Sequence, residues 1–237
     1  MKIKSIPITD KVEQRSFALL RLIGYFLLVF SLVNYLSLFI PPRFTNPNWE
    51  FQVQGQMVDN IWSILLGLTF VFLFNENSVV KTKQIAILKF FSWVSLFIGI
   101  IYILMIPLGI NNTQKIYTNA NNQFNIQKGQ QQKQTVEITQ KLQQVTSVEQ
   151  LGGIAASLNI SIDPNLSQSP EQLKEQISQQ IEASAKNTIN TASLAKREQS
   201  INLIKTSIRV NLGSLLSGIC LIGIWKLTKW VRLTKLK

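Results

Sequence analysis

The side chains of this 237-residue protein with most scope for chemistry are its carboxylates, and they are few. Twelve Asp and Glu stand against 24 Lys and Arg, with no histidine and one cysteine. Glu50 and Asp59 lie nine positions apart and Glu76 follows. Such groups can serve as general bases or as ligands for hard cations. No metal-binding or nucleotide-binding motif surrounds them. Cys220 stands alone in an apolar run, so this chain by itself builds neither a disulfide framework nor a cysteine metal site. The reading is of a protein that is not an enzyme, with no catalytic, cofactor or metal residues.

The elements that would position these groups are apolar helices. Leu22 to Ile40 and Phe90 to Ile110 run for 19 and 21 residues without a charge. Each is long enough to cross a hydrocarbon core of about 30 Å as a helix. Ile61 to Phe74 offers 14 mostly apolar residues, and Val210 to Trp225 offers 16 between Arg209 and Lys226. The fourth stretch lengthens to 208–227 if its flanking basic side chains snorkel, and the second to 58–75 by taking in Val58. The first stretch exceeds the apolar core of a cleaved leader and has no small-residue cleavage site, so it is expected to stay attached.

Basic residues set the orientation, because short cytoplasmic loops carry an excess of Lys and Arg. Lys2, Lys4, Lys11, Arg15 and Arg21 precede the first stretch, and Lys81, Lys83 and Lys89 precede the third. Lys226, Lys229, Arg232, Lys235 and Lys237 close the chain, whereas the loop after the first stretch holds only Arg43. The fold class expected is therefore an all-α membrane protein. It has four transmembrane helices, at about 22–40, 58–75, 90–110 and 208–227, between a basic cytoplasmic arm (1–21) and a basic cytoplasmic tail (228–237). Glu76 then falls on the opposite side from Glu50 and Asp59, so the three cannot form one site. The net charge of +12 is a topological signal rather than a nucleic-acid footprint. In the tail, basic residues alternate with Leu227, Trp230, Val231 and Leu233, the pattern of a short interfacial helix anchored by Trp230.

Between the third and fourth helices lies a helical, Asn/Gln-rich extracytoplasmic insertion, 111–207. Residues 111–200 contain 27 Asn and Gln. So few large apolar groups argue against a deep independent core. Thr146 and Glu149 suggest a capping box for a short helix ending near Gly152 and Gly153. Ser169, Pro170 and Gln172 mark a stronger start, ahead of Leu173, Ile177 and Ile181. Apolar residues from Ala185 to Ile208 carry that helix nearly unbroken into the fourth span. Val136, Ile138, Leu142 and Val145 mark a second piece, from about Gln131, able to return against it as a coiled-coil hairpin. Asn121 to Gln134 reads as a disordered polar linker.

Two sets of residues are candidates for contact. Asn46, Asn48, Trp49 and Glu50 form an interaction loop at a membrane edge, where a tryptophan can dock in the headgroup layer. Asn34, Gly99, Gly213 and Gly218 are candidates for helix packing, through an interhelical hydrogen bond or close backbone approach. Pro107 is expected to kink the third span.

The order of Pro41 and Pro42, the Asn46 to Glu50 loop, Leu66 and Gly67, the run Leu88 to Trp93, and Ile106 to Gly109 resembles the HpsJ-like family of cyanobacterial membrane proteins. The resemblance is best over residues 15–112. It implies a noncatalytic membrane accessory in the biosynthesis or export of hormogonium polysaccharide, supporting gliding motility. It carries over no catalytic residue. A small transporter or channel, or a glycan or lipid-linked transferase, are the alternatives. The partners expected are the lipid bilayer and other membrane or polysaccharide-export proteins reached through the extracytoplasmic helices. No nucleic acid and no cofactor are expected, and a homo-oligomer stays open. The membrane expected is the bacterial plasma membrane, with thylakoid as the other choice.

Overall fold

The computed structural model describes residues 10–73, 82–158, 160 and 169–234. Glu76, Lys81, the end of the expected second span and the outermost basic residues lie outside them. The described residues are helical with no strand: α1 (Asp10–Leu38), α2 (Pro47–Asp59), α3 (Ile61–Val71), α4 (Thr82–Gln144), α5 (Val148–Ser157), α6 (Pro170–Leu227) and α7 (Lys229–Leu233). Three of these, α1, α4 and α6, contain segments long and apolar enough to cross a membrane. The chain divides into two compact units, a bundle (Met1–Ile116 with Ile204–Lys237) and a second unit (Tyr117–Leu203).

In the bundle, α1 ends at Leu38, two residues short of the expected end of the first span. Phe39 and Ile40 make turn bonds back to Leu36 and Ser37, because the residue before a proline is biased away from helix. The Asn46 to Glu50 segment, read as a loop, instead opens α2. The Asn46 side chain accepts from the Asn48 and Trp49 backbone N–H groups, and Pro47 takes the first helical position, where no N–H is needed. The expected second span is not one helix either. It breaks at Asn60, whose backbone and side-chain N–H groups both turn back to the Gln56 carbonyl. The apolar piece, α3, has 11 residues. At about 1.5 Å per residue it reaches only about half of a hydrocarbon core.

The bundle core is formed by Ile61, Ile64, Leu68, Tyr102, Met105 and Leu221, with Leu28, Tyr35 and Met57 packed against it. A second cluster joins Val71, Leu88 and Val231. Val231 is fully buried, so one side of the five-residue α7 packs onto its neighbours, while Trp230 and Leu233 stay exposed. Pro107 sits inside α4 without ending it.

In the second unit, the α4 and α6 portions run antiparallel. Asn121 meets Lys196, whereas Leu142 shares a core with Leu173, Ile177 and Ile181. The stretch Asn121 to Gln134 is helical throughout, which corrects its reading as a disordered linker. Gln is a fair helix former, and Ala120, Phe124, Gln131, Thr135, Ile138 and Leu142 place a partly buried stripe at helical spacing. Helix α5 adds Leu151 and Ala155 to the core. Its cap residue is Ser147 rather than Thr146, and it continues through Gly152 and Gly153 to Ser157. A Cβ at either glycine would meet open space, so nothing steric stops the helix there.

The start of α6 follows the sequence pattern: Ser169 N–H donates to Gln172 Oε1 at 3.3 Å, and Gln172 N–H donates to Ser169 Oγ at 3.4 Å. This reciprocal capping box and Pro170 launch a helix of 58 residues.

Candidate functional site

The functional geometry of the bundle begins where backbones approach closely. A Cβ placed on Gly24 of α1 would lie 2.9 Å from the Gly67 carbonyl oxygen of α3. Gly99 of α4 and Gly218 of α6 are brought together in the same way: a Cβ on Gly99 would lie 3.3 Å from the Gly218 oxygen, and one on Gly218 would lie 3.1 Å from the Gly99 oxygen. Gly213 faces Val58 of α2. Without side chains at these crossings, short polar groups can bridge helices. Asn34 is half-buried on α1. Ser31, which donates to Ser63 Oγ at 2.7 Å, and Tyr35 do bond α1 to other helices.

Tyr35 and Tyr102 converge on the break between α2 and α3. Their hydroxyls lie 2.8 Å apart, and they donate to the Met57 carbonyl at 2.9 and 2.7 Å. Tyr102 is fully buried. An unpaired backbone carbonyl in an apolar interior is costly, so this pair holds the segment before Asn60 in place. Nearby, Asp59 pairs with Arg209 at 3.1 Å, both half exposed. Glu50 lies in the first turn of α2, where a negative charge complements the helix dipole. Trp49 meets Phe39 and Phe44 edge-on at 6.3 and 5.3 Å, while Asn46 and Asn48 are exposed. Among the described residues, no group of three or more His, Cys, Asp or Glu is placed to hold a metal ion.

A second polar cluster closes α6. Arg232 donates to Ser92 Oγ at 2.6 Å and to the Trp225 carbonyl at 2.5 Å, with its guanidinium 4.3 Å from the Trp225 ring centroid. A cation stacked on tryptophan and bonded to a late carbonyl suits a helix C-terminus. Ser92 also meets Thr228 at 2.7 Å, and Lys89 donates to the Thr234 carbonyl at 2.7 Å.

The tyrosine pair, and the Ser92, Trp225 and Thr228 part of the second cluster, sit within a stretch that the model of the family described as HpsJ-like protein matches from residue 15 to residue 229; Arg232 and Thr234 lie just past it. The chain belongs to the HpsJ-like family. No curated protein and no solved structure matches it. The family match takes in most of α1 and all of α2 to α6, so it covers the amide-rich second unit as well as the apolar helices. The tyrosine pair, the Ser31–Ser63 bridge and the Arg232 cap are absent from the sequence reading. Their signal is single hydroxyls or a lone guanidinium beside apolar runs, and one chain does not reveal which of them meet.

Proposed function

We propose that this HpsJ-like protein is a noncatalytic integral membrane accessory for the biosynthesis or export of extracellular, hormogonium-type polysaccharide, and that it thereby supports gliding motility. The observation that carries the reading is the family match, because it covers both the apolar helices and the second unit. In this proposal the chain crosses the plasma membrane four times with both termini in the cytoplasm. The second crossing is shared between α2 and α3. The distribution of Lys and Arg supports that count, since omitting this crossing would export the basic tail. The second unit then lies outside the cytoplasm, where its long paired helices engage other membrane or export proteins.

The test is affinity purification of the tagged full-length protein from native membranes in mild detergent, beside a variant lacking residues 120–200, followed by mass spectrometry. Recovery of polysaccharide synthesis or export proteins with the intact chain alone supports the scaffold. Recovery of the protein as a homo-oligomer without such partners overturns it.

A further inference from the structure

Two amide side chains of the bundle face one glycine where its apolar runs end, and a third lies one helical turn along. Gln54 of α2 is 4% exposed and Asn112 of α4 is fully buried, yet neither the N–H nor the oxygen end of either amide has a hydrogen-bond partner among the described residues. Asn211 of α6 donates through Nδ2 to the Ser207 carbonyl at 2.8 Å. A carbonyl can only accept, so this bond fixes the orientation of the Asn211 amide. Its Oδ1 is buried without a partner.

The groups share one locus. A Cβ on Gly109 would lie 2.8 Å from Asn211 Oδ1 and 3.0 Å from Gln54 Oε1, so both oxygens face the side of α4 that this glycine leaves bare. Asn112 is three residues further along α4 and Thr113 four, which puts both near that face. Thr113 donates to Ser207 Oγ at 2.8 Å, closing the edge.

Buried polar groups in native proteins are almost always bonded, if not to protein then to a small polar molecule. The complement required follows from the atoms. A bare cation would satisfy the oxygens but leave the buried amide N–H groups of Gln54 and Asn112 without an acceptor. An anion would do the reverse. A hydroxyl both donates and accepts and so matches the set. Gly109 is in the last two residues of the apolar run Phe90 to Ile110, and Asn211 is the second residue of the run from Val210. This is the depth at which water and lipid headgroups begin.

We infer that Gln54, Asn112 and Asn211 form a binding site for one uncharged hydroxyl group, supplied by water or by a neutral sugar headgroup at the membrane edge. The site does not depend on the polysaccharide reading.

The experiment is water-edited solid-state NMR on the full-length, 15N-labelled protein in phosphatidylcholine liposomes, with Gln54→Leu and Asn112→Leu each used to identify its own side-chain amide signal. Magnetisation from water reaching these two amides as fast as it reaches exposed glutamines of 117–203 supports water as the occupant. A second sample contains digalactosyl lipid: loss of the water transfer and gain of transfer from sugar protons supports the headgroup hydroxyl. Transfer as slow as that to the buried Tyr102 backbone amide, with no sugar contact, overturns the site in either form.

Discussion

The bundle and the second unit join helices by opposite means. In the bundle, glycines let backbones touch, and a few hydroxyls then span the gap: Gly24 with Gly67, Gly99 with Gly218, Ser31 with Ser63. In the second unit, glycines 129, 152 and 153 have nothing within 4 Å, and cohesion rests on a strip of Leu and Ile with Ala155 and Ala185. The difference follows from solvent. Helices surrounded by hydrocarbon gain little from burying more hydrocarbon, so they associate through close packing and polar bonds. Helices coated with Asn and Gln gain from removing even a narrow apolar strip from water.

The largest effect that would test this contrast is in the thin core. Leu142→Ala is expected to cost about 3 kcal/mol, since Leu142 is 1% exposed in a core of few residues. Limited proteolysis should then cut within 117–203 while the bundle stays intact, and equal loss in both units would end the contrast.

Gly24→Ala comes next, at about 2 kcal/mol, because the added methyl would press on backbone and not on a flexible tip. A thermal melt in detergent reads it, and an unchanged melt would mean that the close approach is not needed. Tyr102→Phe should cost about 1 kcal/mol by removing one of the two hydroxyls on the Met57 carbonyl. Chemical denaturation of the variant beside Tyr35→Phe and the double variant would show whether the two act as a pair.

The same change at an open glycine should have the opposite sign. Gly152→Ala is expected to stabilise by about 0.5 kcal/mol, because the methyl meets open space and the unfolded chain loses freedom. A loss of stability there would mean that α5 is packed more tightly than its surroundings indicate. Smallest is Asp59→Asn. An ion pair with both side chains half exposed contributes under about 0.5 kcal/mol, and the difference from wild type should vanish in high salt.

Much of the helical layout is legible in the residues, and the exceptions have physical causes. Ser169, Pro170 and Gln172 announce α6 because capping is a local interaction complete within four residues. The stripe of Leu173, Ile177 and Ile181 is legible for the same reason, since spacing alone puts it on one face. Asn121 to Gln134 misleads because composition speaks for disorder, while the helix depends on a partner strand of chain about 75 positions away, such as Lys196 over the Phe124 ring. The break at Asn60 is only half legible: the apolar run begins directly after it, at Ile61, but the groups that hold it, Tyr35 and Tyr102, come from other helices. Of the residues singled out by type, Gly99 and Gly218 meet each other, whereas Asn34 joins no cluster described above.

The sequence by itself determines that this is a chain of helices with segments long and apolar enough to cross a membrane, and where α6 begins and ends. Those properties depend on hydropathy, capping and proline geometry, all of which act within a few residues. Which polar side chains become partners was decided only by the tertiary structure. Gln54, Asn112 and Asn211 lie on three separate helices, and Ser92 finds Arg232 across 140 positions. In a largely apolar environment the energy of a polar group depends on what faces it, and that is a property of helix packing that no local pattern encodes.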